Sequence, residues 1–117
     1  MTIYDRTHEL ANELKNTAEV LEYRNSYKKI QENEKNKELV DKFRKIQFEA
    51  YNEQIEKGDI SQETKEKMQN LGAILSANID VSNYIQAESK FAVLWEDIIK
   101  ILHDSVGLDL TLKNDNQ

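Results

Sequence analysis

"YIQAESKFAVLWEDIIKIL" (residues 84–102) is the most apolar stretch of the chain, and its periodicity predicts a long helix. Apolar side chains recur in it every three or four residues, which places them along one side of that helix: Tyr84, Phe91, Trp95, Ile98 and Leu102. Further apolar residues flank this seam, so the apolar arc is roughly 200° wide at ~100° per residue. A single antiparallel neighbour covers only about half of that arc. The helix is therefore predicted to be buried partly by the chain's own helices and partly by a second subunit.

The scarcity of helix-breaking residues extends the helical prediction to the whole chain. The 117 residues contain no proline and three glycines, which favours long helices joined by short turns. Gly58 stands where a left-handed residue ends a helix. Four polar residues precede periodic apolar segments as predicted N-caps: Thr2, Asn16, Asn33 and Ser61. We predict one all-α domain, residues 1–107, built as antiparallel helical hairpins in a bundle of about five helices, followed by a polar and partly disordered tail, residues 108–117.

A second apolar surface is predicted on the helix that spans about residues 35–57. The apolar side chains of its first half form one stripe, whereas those of its second half lie on roughly the opposite side. A helix that changes its apolar face leaves one neighbour and meets another, so the second half is also assigned to subunit contact. The predicted interface of a homodimer or higher oligomer combines both helices: Phe48, Tyr51, Ile55, Tyr84, Phe91, Trp95, Ile98 and Leu102.

Glu88 is the one carboxylate within the seam, between Tyr84 and Phe91. A carboxylate in an apolar setting needs a hydrogen-bond or ionic partner, because burying it alone is costly. Two interpretations follow: a polar pin that fixes the register of neighbouring helices through a tyrosine hydroxyl or an arginine, or a proton-transfer group or metal ligand. The pin is favoured, because fixing register is the best-attested use of such residues.

Several classes of catalytic site are excluded by residue types and spacing. The absence of cysteine excludes disulfides, thiolate catalysis and cysteine-ligated zinc or iron–sulfur centres. The two histidines, His8 and His103, do not form the pair of Glu-x-x-His motifs that a di-iron bundle requires. A nucleophile elbow and a glycine-rich phosphate loop are also missing, and the turn "KGDIS" (residues 57–61) contains residues typical of turns and caps. We predict a protein that is not an enzyme, with no catalytic residues, metal or cofactor.

The charge distribution restricts the expected partners. A net charge of −6 disfavours direct nucleic-acid binding and binding to anionic membranes, and the sequence shows neither a signal peptide nor a membrane span, so a cytoplasmic protein is expected. Residues 24–45 nevertheless contain eight basic and four acidic residues, a net charge of +4 that leaves −10 for the rest. Their basic side chains are a candidate face for RNA or an acidic partner: Lys28, Lys29, Lys42, Arg44 and Lys45. A merely solvated helix face is favoured over RNA binding, because no RNA-recognition motif accompanies these charges.

Two stretches together, "FRKIQFEAYNEQIEKGDISQET" (residues 43–64) and "YIQAESKFAVLWEDIIKIL", resemble the small helical YlbF/YmcA-like family of Gram-positive bacteria, in particular its YheA-type branch. The likeness covers nearly the whole chain and rests on Phe43, Gln47, Gly58, Ala87 and Glu88. It implies an all-helical protein that forms dimers or higher oligomers. It also implies kinship with accessory subunits of a complex linked to RNA processing and to the control of competence, sporulation and biofilm formation. Some of those relatives hold cysteine-ligated iron–sulfur clusters, which this chain, lacking cysteine, does not share.

These observations lead to one functional hypothesis and one alternative. The hypothesis is a non-enzymatic helical scaffold or adaptor, a regulatory accessory subunit of a cytoplasmic protein complex. Its partners would be further copies of itself, related helical subunits or an RNA-processing complex. The alternative is an RNA-binding accessory protein that uses the basic segment 24–45.

Overall fold

The computed structural model describes residues 1–108, which form five α-helices and no strands. The helices are α1 (Ile3–Lys15), α2 (Ala18–Gln31), α3 (Glu34–Lys57), α4 (Gln62–Ser76) and α5 (Ile79–Val106). The predicted all-α class, with a long last helix, is confirmed. The predicted disorder of the tail concerns residues beyond Leu108 and lies outside the described residues.

Side-chain caps define where the helices begin and end. The Thr2 hydroxyl accepts a hydrogen bond from the backbone N–H of Asp5, and the Asp5 carboxylate accepts one from Thr2 in return. Asn33 and Ser61 cap α3 and α4 as predicted. The cap of α2 is displaced by one residue from the prediction. Thr17 accepts from the N–H of Val20 at 3.3 Å, whereas Asn16 ends α1.

The hydrophobic core surrounds the amino-terminal half of α5. Helix α5 packs most extensively along α2, while α3 and α4 also contact it. Four helices contribute the buried apolar side chains of the core: Ile30, Val40, Leu71, Leu75, Val81 and Tyr84. The carboxyl-terminal half of α5 contributes no buried residue.

The chain is more extended than a compact domain of its size. Its radius of gyration is 18.3 Å, against about 13 Å for a compact domain of roughly 100 residues. The extents of 53 × 43 × 17 Å describe a flat molecule, less than two helix diameters thick at about 10 Å per helix. Among the described residues, α1 packs against α2 alone and has no buried residue. Much apolar surface is therefore left outside the core.

Candidate functional site

Helix α5 is longer than the part of the chain that covers it. It has 28 residues and α2 has 14, which correspond to lengths of about 42 and 21 Å at ~1.5 Å per residue. The seam residue Tyr84 is only 6% exposed, but Trp95 and Leu102, on the same side of the helix, are 47% and 51% exposed. The apolar face that builds the core thus continues past the end of its neighbours. We call the uncovered part, residues 95–106, the distal half of α5.

A row of aromatic rings joins the core to the distal half. The Tyr23 ring of α2 stacks on Tyr84 at 5.7 Å between centroids and on Phe91 at 5.4 Å. Phe91 in turn lies 6.0 Å from Trp95. Tyr27 extends the row at the other end, with its centroid 6.2 Å from that of Tyr84. The row runs from the half-exposed Tyr27 past the buried Tyr84 to the exposed indole of Trp95.

Glu88 lies next to this row and ties three helices together. Its Oε2 accepts a hydrogen bond from the Tyr23 hydroxyl of α2 at 3.2 Å and another from the Arg44 guanidinium of α3. Arg44 also lies against the rings of Tyr84 and Phe43, at 5.9 and 5.7 Å from their centroids. Both kinds of partner considered for Glu88, a tyrosine and an arginine, are thus present. Its side chain is 30% exposed and that of Arg44 36%, so the cluster is partly buried rather than enclosed.

The electrostatics of this cluster keep both hydrogen-bond donors protonated. Burial raises the pKa of the Tyr23 hydroxyl, and its contacts with Tyr84 and the Glu88 carboxylate raise it further. Burial acts to lower the pKa of Arg44, but the hydrogen bond and negative charge of Glu88 outweigh it, so the pKa of Arg44 is raised. Both donors hold the Glu88 carboxylate from other helices, Tyr23 from α2 and Arg44 from α3. The arrangement is suited to holding helices in place.

The predicted interface residues fall into three groups. Phe48, Tyr51 and Ile55 are exposed on the second half of α3, and Trp95 and Leu102 are exposed on α5. Phe91 and Ile98 are half-buried. Tyr84 is a correction: it faces the core of its own chain, because α2 covers the seam at that level. The proposed contact surface therefore excludes Tyr84.

The basic segment is also revised by the structure. Arg44 does not belong to an open basic face, because its guanidinium is bound to Glu88 across the helix packing. Lys28 and Lys29 of α2 and Lys42 and Lys45 of α3 are exposed. On α3, however, Lys42 and Lys45 each follow an acidic residue, Glu38 and Asp41 respectively, by four positions on the same side of the helix. These two acids belong to the four already counted in the net charge of +4, so the positive charge on this side of α3 is interrupted by acidic neighbours.

Two polar contacts between helices were missed by the sequence reasoning. The Glu53 carboxylate accepts from the backbone N–H of Ser61 at 2.8 Å and from the hydroxyl of the buried Thr64 at 2.7 Å, which braces the α3–α4 turn. The Asn78 amide donates to the buried Asn36 at 2.7 Å while its oxygen caps α5. Ser61 was predicted as a cap, but the partners of Glu53 and Asn78 are distant in sequence and leave no periodic signal.

Two properties of residues 1–108 bear on the kind of site present. They contain no group of three or more histidine and carboxylate side chains placed to hold a metal ion. In the same part of the chain, no helix is long and apolar enough to cross a membrane. The features that stand out in the described structure are the distal half of α5, the exposed side of α1 and the Glu88 cluster.

These features define an all-helical protein with an open arrangement of helices and a large uncovered apolar face. The family model described as "Control of competence regulator ComK, YlbF/YmcA" matches residues 3–107, and the chain belongs to this family. A UPF0342 protein of Clostridium novyi is 56% identical over 109 residues, covering 93% of this chain and 96% of the relative. The corresponding protein of Clostridium tetani is 49% identical over 114 residues, covering 97% and 98%.

A solved structure supports the fold. In the X-ray crystal structure of Bacillus subtilis RicA in complex with RicF, the matched chain has a TM-score of 0.58. The match covers 90% of this chain and 93% of the other, at 21% sequence identity. At that identity the likeness concerns the arrangement of helices alone. The predicted membership of the YlbF/YmcA family and the predicted fold class are both confirmed.

Proposed function

We propose that this protein is a non-enzymatic helical adaptor, a regulatory accessory subunit of a cytoplasmic protein complex, and that it works as a homodimer formed through the distal half of α5. The observation that carries the proposal is the continuity of one apolar face from the core into solvent. Tyr84 and Leu102 share the seam, yet the first is buried and the second is half exposed. An apolar helix face that extends beyond its own core usually marks the place where a second surface packs on it.

The area of this face fits a protein partner. Trp95, Ile99, Ile101, Leu102 and Val106 are each between 46% and 65% exposed. At roughly 100 Å² apiece, they leave about 500 Å² of apolar side chain in water, a large share of the roughly 800 Å² that each partner contributes to a standard interface. The row of stacked rings ending at Trp95 would add a rigid aromatic anchor at the edge of that surface.

The family supports a regulatory role rather than a catalytic one. Its description names control of the competence regulator ComK, and the RicA chain of similar fold was crystallised in a complex with another protein, RicF. The Glu88 cluster adds a reason within this chain, since its carboxylate is occupied by hydrogen bonds from two other helices. We therefore assign α5 to protein contact and assign no reaction to the cluster.

The test is the mass of the protein in solution as a function of concentration. Wild type should change from the 13.7 kDa monomer to twice that mass, and the emission of its single tryptophan, Trp95, should shift to shorter wavelength as the indole loses water. The variant Leu102→Asp should remain monomeric, because it places a carboxylate within the apolar contact and keeps the fluorophore.

Ser89→Asp is the matched control, because Ser89 is exposed on α5 but lies away from the seam. It adds the same charge to the same helix and should dimerise like wild type. Circular dichroism should show equal helix content in all three proteins, since Leu102 is half exposed within the chain. A wild type that stays monomeric at high micromolar concentration, or a Leu102→Asp protein that dimerises as tightly as wild type, would refute the proposal.

A further inference from the structure

Helix α1 carries a second apolar surface, which the other described residues leave largely exposed. Its apolar side chains Ile3, Leu10 and Leu14 repeat at spacings of seven and four residues and so share one side of the helix. None of them is buried, and Ile3 is 76% exposed, with Tyr4 beside it at 74%. The helix has only 13 residues, a length at which an isolated helix is marginal in water. A capping box holds its first turn, and α2 covers only part of its apolar side.

The lengths of the two uncovered surfaces match. The 13 residues of α1 span about 20 Å, and the 12 residues of the distal half of α5 span about 18 Å. Both surfaces also start at the same level of the molecule, because Tyr23 near the start of α2 stacks on Phe91 just before the distal half begins. Within one chain, however, α1 does not touch α5. Within one chain, the two apolar surfaces therefore do not cover each other.

We propose that α1 of one copy packs on the distal half of α5 of a second copy, and that the second copy returns the same contact. This inference rests on the proposed homodimer and specifies its geometry. In a dimer with a twofold axis near the start of α2, the two copies make two equivalent contacts. In each of them, α1 of one copy packs on α5 of the other. The turn at Asn16 and Thr17, where α1 ends and α2 is capped, sets the direction of α1 relative to α2.

The area of this exchange matches a stable dimer. The exposed side of α1, with Ile3, Tyr4 and Leu10, offers about 400 Å² of apolar surface. Two reciprocal contacts between α1 and the distal half of α5 would together bury about 1,800 Å², against roughly 1,600 Å² in a standard protein interface. The alternative of two α5 helices packing on each other would leave the apolar side of α1 in water.

Cross-linking tests the exchange directly, because the natural chain contains no cysteine. One protein carries Leu10→Cys as its only cysteine, and a second, differently tagged protein carries a single cysteine at position 99, 102 or 106. The two are mixed, allowed to exchange subunits and treated with a short bifunctional maleimide. The expected product is a covalent dimer containing both tags, formed with at least one of the three α5 positions.

Asn12→Cys is the control, because Asn12 lies on the opposite side of α1 and is exposed. It should yield at least tenfold less of the mixed product than Leu10→Cys. A pair of charge variants gives a second readout: Leu10→Asp should raise the dimer dissociation constant at least tenfold, whereas Asn12→Asp should leave it unchanged.

The outcomes separate the two proposals. If wild type dimerises but Leu10→Cys yields no more mixed product than Asn12→Cys at any α5 position, the helix exchange is overturned and the homodimer stands. The same conclusion follows if Leu10→Asp dimerises as tightly as wild type. If wild type does not dimerise at all, the proposed function fails and the exchange fails with it.

Discussion

The Glu88 cluster makes a quantitative prediction about stability. Replacing Glu88 by alanine removes the shared acceptor of two donors on two other helices, the Tyr23 hydroxyl and the Arg44 guanidinium. Losing a hydrogen bond to a charged group costs about 1.5–3 kcal/mol in a buried site, and exposed ion pairs couple by only about 0.2–1 kcal/mol. Because the two charged side chains are 30% and 36% exposed, we expect Glu88→Ala to cost about 2 kcal/mol in unfolding free energy.

A double-mutant cycle isolates the part that belongs to the ion pair. Arg44→Met keeps an aliphatic stem against the Tyr84 ring while removing the charge, and it is combined with Glu88→Ala. The expected coupling free energy is about 1 kcal/mol, between the values typical of exposed and buried pairs. Glu88→Gln, which retains an acceptor for Tyr23, should be less destabilising than Glu88→Ala.

The assay is urea unfolding followed by the emission of Trp95, with all variants in the Leu102→Asp background. That background prevents dimer dissociation from contributing to the measured stability, since association adds to apparent stability by mass action. A coupling below about 0.3 kcal/mol lies within the error of simple additivity. Such a value would refute the view that Glu88 and Arg44 hold α5 and α3 together.

Two further predictions concern the α3–α4 hairpin. Gly72→Ala should raise the unfolding free energy by about 0.5–1 kcal/mol, because glycine weakens a helix interior and a Cβ built at this position of α4 has no neighbour within 4 Å. Gly58→Ala, which has equally free space but a φ of +77°, should lower it by about 1 kcal/mol. A stabilising Gly58→Ala or a destabilising Gly72→Ala would contradict these assignments in urea unfolding. The contacts of Glu53 with Ser61 and Thr64 hold its pKa below the ordinary 4.5, so its contribution to stability is present above pH 4.5 and lost as the pH falls through the lowered value. The urea midpoints of wild type and Glu53→Gln should therefore differ at pH 7 and converge toward pH 3, and a constant difference would show that the carboxylate does not brace the turn.

Local features of this fold could be predicted from the sequence because they depend on neighbours a few residues away. Ser61 and Gly58 mark a helix start and a helix end through capping and a left-handed backbone, both of which are decided within one helical turn. The same reasoning missed by one residue at Asn16 and Thr17, because either residue can cap and the choice depends on where α1 ends.

The features that sequence could not supply depend on how far one helix extends past another. Tyr84 and Trp95 occupy equivalent places on one apolar seam, and no periodicity distinguishes them. Their different exposure follows from the length of α2, which covers Tyr84 and whose amino-terminal end lies near the level of Trp95. The sequence also does not distinguish Arg44 from the exposed lysines. Its pairing with Glu88 joins residues 44 positions apart, and the pattern of charges along α3 gives no sign of that contact.

The position of the Glu88 cluster is consistent with the division of α5 into a covered and an uncovered half. The direction of the distal half is set by the packing of the covered half of α5. In that covered half, the Glu88 carboxylate binds α2 through Tyr23 and α3 through Arg44. Glu88 lies one turn before Phe91, whose ring contacts those of Tyr23 and Trp95. A purely apolar contact at this place would allow helices to slide by a turn, because apolar packing is not directional. Hydrogen bonds to one carboxylate from two helices fix both register and angle, which a surface of fixed shape on the distal half requires.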